Sequence, residues 1–549
     1  MSATNPVGPD RSKEARSEEA AGEEAPGTQI PGTDVPSPDV PGAGLPLARQ
    51  LAAWAAELRH KDVPERILNY ATSQVMSHLA VVRAGLTHPL GHKLVRAFGS
   101  PLSSDPYRAA QAMAGLSSCL YYEDSMYAGH VTHASVGVPL AFRTAQRLDG
   151  RSLLTAVVAA NECAARVTAA AVLGPLRGQG TSYTQLVGAV AARLHGAGEP
   201  AERWADAWGL ALAMPPWPLR RALVGSDAKV LSAAAPVRTA LDACDAAAAG
   251  LRGAHDILEH PGGLLAKFAH VPSPETVTAG LGSRWHTETL TFKMHPAGAY
   301  VDAAVDCAAQ LHARLSAEEI RGIREIVVSA ARLTLVMDQE GAPYLDRERS
   351  PIMALNVSVA YNVATALATG SVVPADLAEP ALADPLRWSL ADRVRLEYDA
   401  ALSRHVLRAT APLGEALRQA GDRGRQWLAD FMGPALAAGP EVVGPPSGTF
   451  RDAGKAVGAR LRVTLHDGRV LTASCERPRG SAGPATRAAH RDLVREKLTA
   501  SGSSTEVVDA LGDLACLDAA ELDALVGRAL SEPLPAFGAL AESDPRHGP

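Results

Sequence analysis

The feature that most limits what this chain can fold into is a run of long, alanine-rich segments at helical spacing between residues 45 and 285. Leu47, Leu51, Trp54, Ala55 and Leu58 recur at intervals of three and four, and Pro64 opens a second run through Ile67, Leu68, Ala71 and Val75. Segments 109–121, 152–173, 184–196, 203–213 and 232–250 continue the pattern. The chain is 47% hydrophobic but only 4% aromatic, so its core must be built mainly from Ala, Leu and Val, whose small side chains let helix axes approach closely.

After about residue 286 the texture changes. Residues 285–292 (WHTETLTF), 323–331 (IREIVVSAA) and 459–475 are expected to be β-rich, the last a hairpin turned at Asp467-Gly468. Helical patterns intervene at 300–314 and 354–369 and return over 486–529. The order α, then α+β, then α predicts a mainly α protein: a large all-helical domain with a smaller inserted α+β domain. The expected divisions are a disordered tail at 1–43, helical residues 44–285, α+β residues 286–480, C-terminal helices at 481–530 and a flexible tail at 531–549. The first 43 residues lack aromatics and are rich in Pro, Gly, Glu, Ser and Thr, too little apolar surface to offset chain entropy.

Composition also narrows the partners. A net charge of −6 with Lys and Arg dispersed among acidic residues argues against nucleic acid. No stretch of eighteen or more apolar residues lacks charge, and the N-terminus lacks a basic-then-apolar opening, so no membrane association and a cytoplasmic location are expected. The six cysteines stand far apart, with no CxxC and no cluster for zinc or iron and sulfur.

The densest polar stretch is 121–135, YYEDSMYAGHVTHAS, with two carboxylates, three tyrosines and two histidines. On composition alone it reads as a solvated loop. Two histidines at i and i+3 suggest a metal, but a ligand set needs a third and fourth donor, so no metal is expected. The stretch resembles the MmgE/PrpD family's Asp-Asp-Thr followed by His-Pro-Ser, here Glu123-Asp124-Ser125 and His133-Ala134-Ser135. Residues 225–231, GSDAKVL, resemble its Gly-Ser-x-x-Lys-x-Leu, which puts Lys229 at the family's active-site lysine. Lys293 and Pro296 resemble a later lysine-proline segment, and 354–372 resembles the family's Phe-Ser-x-x-Tyr motif with Tyr361 at the tyrosine.

The resemblance, to the fold of 2-methylcitrate dehydratase and cis-aconitate decarboxylase, implies an α+β lid on the helical domain, a site between them, a homodimer and no cofactor. It implies a small-molecule substrate with a carboxylate or carbonyl, and a proton moved at the carbon beside it in a dehydration, decarboxylation or isomerisation. A carbanion or enediolate formed without metal needs fixed cations and donors, so Lys229 and Lys293 are expected to clamp the substrate. His133 is the expected acid or base, Tyr361 a hydroxyl donor, and Asp124 the group that orients His133 or acts itself. Tyr121, Ser125, His130, Ser182, His295 and Tyr300 are expected to line the substrate site.

Departures accompany the matches. Tyr121 stands where many members carry Asp, Gly180 replaces a histidine in the 178–182 segment, and Tyr300 replaces another, with His295 as its possible substitute. These changes point to a specialised rather than a central metabolite. They also leave a second reading, a catalytically silent homologue that binds a ligand or partner in the same cleft. Convergence of Lys229, Lys293, His133 and Tyr361 on one small volume would favour the enzyme.

Overall fold

The computed structural model describes residues 44–535 apart from 128, 176–178 and 440–443, so the expected N-terminal tail and the chain beyond 535 lie outside the described residues. The alanine-rich segments form helices at Pro106–Ser118, Gly150–Ala170, Gln179–Ala197, Ala201–Ala211 and Leu231–Ala248. They pack mainly on one another, with Gly150–Ala170 against Gln179–Ala197, and Leu231–Ala248 against both Gln179–Ala197 and Pro106–Ser118. Gly150–Ala170 is long and apolar enough to cross a membrane, but its apolar window is wholly buried within the protein, as expected of a core helix.

Beyond residue 300 the chain forms a four-stranded sheet. Its strands are β1 (Ile323–Ala330), β2 (Val394–Tyr398), β3 (Ala459–Leu465) and β4 (Val470–Cys475), in the order β2-β1-β3-β4. β3 and β4 are the expected hairpin: Gly468 takes φ 88°, and the Asp467 carboxylate accepts the Arg469 N–H at 2.9 Å. β1 pairs antiparallel with β3 and parallel with β2. The parallel pair needs a crossover, and the helices Arg332–Gly341, Ile352–Val357, Val359–Thr369 and Pro385–Ala391 lie within it. The expected helix at 354–369 is thus two. Ser358 interrupts it with extended backbone and caps the second half by accepting the Tyr361 N–H at 3.2 Å.

Residues 285–292 depart from the expected strand. They form a 3₁₀ turn at His286–Thr289, followed by an isolated bridge between Ser125 and Thr291. The reason is a buried carboxylate: Glu162 accepts the N–H groups of His286 at 3.0 Å and Thr287 at 2.9 Å, donors that a sheet would have used. Four residues further along the same helix, Arg166 donates to the carbonyls of Ala279 at 2.7 Å and Arg284 at 2.7 Å. One helix therefore fixes the whole 279–289 connection.

The C-terminal helices, Pro484–Ala500, Thr505–Gly512 and Ala519–Ser531, return to pack on Glu65–Thr87. Their anchor is Arg83, fully buried on that helix. Its guanidinium donates to the carbonyls of Ser501 at 3.1 Å, Gly502 at 3.0 Å and Ala529 at 2.6 Å, with Pro533 at 3.2 Å and Glu532 at 3.4 Å. These carbonyls sit at or just beyond two helix C-termini, where main-chain acceptors lack partners and the helix dipole favours a cation. Arg83→Met keeps the stem and removes every donor. It should cost at least about 3 kcal/mol of stability, because several buried acceptors lose their partners together, read as a lowered midpoint in urea denaturation, with Arg83→Lys recovering only part.

Candidate functional site

Residues 119–127 leave the helix Pro106–Ser118 along an irregular path, and Tyr121 turns it with φ 56°, a left-handed conformation rare for an aromatic residue. That turn precedes Glu123, which is 1% exposed. Three side chains meet its Oε1: His130 Nδ1 at 2.9 Å, Lys229 Nζ at 3.4 Å and His133 Nε2 at 3.5 Å. His133 belongs to the short helix Thr132–Ser135, which packs against Gly150–Ala170 and Gln179–Ala197. Lys229 lies on the 3₁₀ turn Asp227–Val230 that leads into Leu231–Ala248, a turn capped by the Ser226 hydroxyl at the Ala228 N–H.

The electrostatics follow from burial opposed by pairing. Burial alone would push the Glu123 carboxyl up, but Lys229 and the two imidazoles hold it well below the usual carboxylate range, so it is ionised. Burial pulls His130 down to about 4 and also lowers His133, the Glu123 charge offsetting only part of this. Both imidazoles are therefore neutral near pH 7. Burial lowers Lys229 as well, against the same carboxylate, while its ammonium donates to the Ser118 carbonyl at 2.9 Å.

Tyr121 forms the next layer. Its ring centroid lies 4.3 Å from Lys229 Nζ and 4.1 Å from Lys293 Nζ, in reach of two ammonium groups. Lys293 also donates to the Tyr121 carbonyl, and burial brings it down to about 8 although Glu123 and Asp302 oppose the shift. The Tyr121 hydroxyl stands 3.5 Å from His130 Nε2, and burial raises it further above the neutral range, so it stays protonated. Asn356, from the crossover, donates to the carbonyls of Leu120 at 3.2 Å and Pro296 at 2.6 Å, tying the segments that carry Tyr121 and Lys293 to the α+β part of the chain.

This cluster opens on a cavity of about 820 Å³. Tyr121, His130, Lys229 and Tyr300 line it. Ser182 instead lines a smaller neighbouring cavity of about 350 Å³, which shares Trp217 and Leu223 with the first. His133 is fully buried behind His130 and Glu123, and its Nδ1 shares a 2.8 Å hydrogen bond with the Ser117 hydroxyl.

Several expected roles are relocated. Asp124 is not beside His133; its Oδ1 accepts the Ser77 hydroxyl at 2.8 Å and lies 3.5 Å from Lys497 Nζ, in a buried pair reaching the C-terminal helices. Burial raises it to about 6 despite Lys497. The carboxylate that meets His133 is Glu123. Tyr361 is held elsewhere: its hydroxyl donates to the Asp376 carbonyl, and its ring packs 5.0 Å from that of Trp388. His295 is bound 3.0 Å from Asp306 rather than standing in for a missing histidine. The Ser125 backbone pairs with Thr291, and its buried hydroxyl is not among the described groups that line either cavity.

Sequence reading missed Ser117, Lys497 and Lys455, a buried ammonium near enough to Lys293 and Asp302 to act on their charges, and quoted Glu123 only as part of a motif. Lys455 and Lys497 are 6% and 2% exposed, an unusual fate for lysine, yet nothing in their neighbours marks them as internal. Glu123, His130 and His133 also bring three donor atoms within 4.8 Å of one another, which supplies the third metal donor that the sequence lacked. A divalent cation there would sit beside the Lys229 ammonium on the same Glu123 oxygen, so the donor set suits proton handling better than metal binding.

No curated protein matches the chain. Family models do: the MmgE/PrpD N-terminal domain matches residues 49–276, the part that carries Glu123, the histidines and Lys229. The MmgE/PrpD C-terminal domain matches residues 295–430, which include Tyr300, Asn356 and the parallel pair β1 and β2. With both domains matched in order over most of the folded chain, the protein belongs to the MmgE/PrpD family.

Proposed function

We propose that the protein is a lyase or isomerase that moves a proton at a carbon beside a carboxylate or carbonyl without an organic cofactor. The observation that carries this reading is the buried Glu123 oxygen met by His130, His133 and Lys229 at the wall of a large cavity. Membership of a family associated with dehydratase-type enzymes supports the class of reaction.

With His130 Nδ1 2.9 Å from the ionised Glu123 carboxylate, the tautomer that carries its proton on Nδ1 is the favoured one, which leaves the Nε2 lone pair as the base. Negative charge then grows on the substrate's carbonyl or carboxylate oxygen. Lys229 supplies a fixed cation at that wall, and the Tyr121 hydroxyl, next to His130 Nε2, supplies a donor. Once protonated, His130 can return the proton to carbon or to a departing group. His133, held by Ser117, supports Glu123 from behind. Tyr361 does not converge with the other expected groups, but a silent binding protein has no requirement for a buried carboxylate surrounded by two imidazoles and an ammonium, which makes that reading the weaker one.

Incubating the protein in deuterated water with a panel of di- and tricarboxylates, monocarboxylates and unsaturated acids should give exchange of carbon-bound protons or product, followed by NMR. His130→Ala should reduce the rate by about 10²- to 10⁴-fold, the usual worth of a positioned acid or base. Silence of the folded protein toward every acid of the panel, or full activity in the variant, would sink the proposal.

The acid limb of kcat/KM should report His130. Its neutral form is the base, and burial brings its pKa down to about 4, so activity should persist at pH 6 and fall only as pH drops toward 4. A limb centred near 6.5 would mean that a solvent-exposed histidine carries the chemistry. Glu123→Gln removes the charge that orients His130 and should lower kcat by at least about 10²-fold, with circular dichroism checking that the fold survives.

A further inference from the structure

The shape of the cavity bears on which acid or carbonyl compound enters it. Besides Tyr121, His130 and Lys229 its described lining includes Arg220, Arg221 and Glu340, but most of the lined surface is apolar: Trp217, Leu223, Val224, Val336, Met337 and Met353 all line it. The apolar surface begins at the reacting end itself. Tyr121 packs in one cluster with Val224, Met353 and Val357, with Met337 laid against it.

Among the described lining residues the cations are few and mostly engaged. Lys229 already faces the Glu123 carboxylate, and Arg220 is ion-paired with Glu340, a carboxylate that lines the same cavity. Arg221, exposed at the rim, is the remaining lysine or arginine among the described lining residues. Lys293, expected to clamp a second carboxylate, is 1% exposed and lies against the Tyr121 ring, outside the described lining. A tyrosine at position 121 therefore both covers one lysine and extends the apolar wall. A substrate with two or three carboxylates would bring more negative charge than this wall neutralises, and would leave most of 820 Å³ without matching contacts.

We propose that the site takes an amphipathic substrate: one carboxyl or carbonyl group, set against Lys229, His130 and Tyr121, joined to a bulky apolar body that fills the Leu223–Val336–Met353 part of the cavity. This rests on the reading of the Glu123 cluster as the reacting end, and it narrows that reading from acids in general to monofunctional, largely hydrophobic ones. Each methylene of the body that leaves water should tighten binding by about fourfold while the cavity has room.

Calorimetric titration of the full chain with butanoate, octanoate, 4-phenylbutanoate and citrate tests this directly. Octanoate and 4-phenylbutanoate should bind at least tenfold more tightly than butanoate, and citrate should be weakest. Leu223→Trp, and separately Val336→Trp, should fill apolar space and weaken octanoate at least fivefold with little change for butanoate. Lys229→Met should weaken octanoate while leaving octanol unchanged. Citrate binding as tightly as octanoate, or octanoate binding that neither tryptophan variant alters, would overturn the proposal.

The exchange experiment separates its fate from that of the reaction. Tight, cavity-dependent binding of the tailed acids with no proton exchange on any acid keeps the amphipathic site and removes the enzyme. Turnover confined to small polycarboxylates keeps the enzyme and removes the amphipathic site.

Discussion

Everything at the candidate site depends on keeping one carboxylate ionised where water cannot reach it. An unpaired buried charge is so costly that the group would take up a proton instead. Glu123 avoids this because Lys229 and two imidazoles reach the same oxygen, His133 and Lys229 from two other elements of the chain. Each partner requires a further arrangement: the left-handed turn at Tyr121, the packing of the short helix carrying His133, and the capped turn that presents Lys229. The local charge balance is thus a constraint on the whole helical part of the chain.

The same logic recurs around the site. Asp124 pairs with Lys497 and so connects the motif segment to the C-terminal helices, which Arg83 also holds through main-chain carbonyls. Glu162 and Arg166 fix the connection into the α+β part. Asn356 then ties that part back to the segments of Tyr121 and Lys293. In a core built from small aliphatic side chains, directional polar contacts of this kind set where the packed helices stop and where the irregular, chemistry-bearing segments run.

Much of the fold was legible because it rests on local periodicity. The helices Pro106–Ser118 and Gly150–Ala170 and the β3–β4 hairpin follow from residue spacing and from an Asp-Gly turn, signals contained within a few residues. The failures were of another kind. Residues 285–292 alternate like a strand, but Glu162, more than a hundred positions earlier, takes their N–H groups. β2 went unread although Val394, Leu396 and Tyr398 alternate with Arg395 and Glu397, because a run of five residues is too short for the alternation to stand out.

The sequence by itself determined the mainly α class and the family, and singled out the polar segment that carries the candidate site, since all three rest on pattern and motif. Tertiary structure alone decided which members of that segment work together. It gave His133 the carboxylate of Glu123 rather than that of Asp124, brought His130 to the cavity wall, and held Tyr361 against Asp376 and Trp388. It also turned Tyr121 from a lost aspartate into a ring in reach of two lysines and the start of an apolar wall. The physical reason is that pairing of buried charges depends on distances of a few ångströms between residues remote in the chain, and neither spacing nor composition encodes those distances.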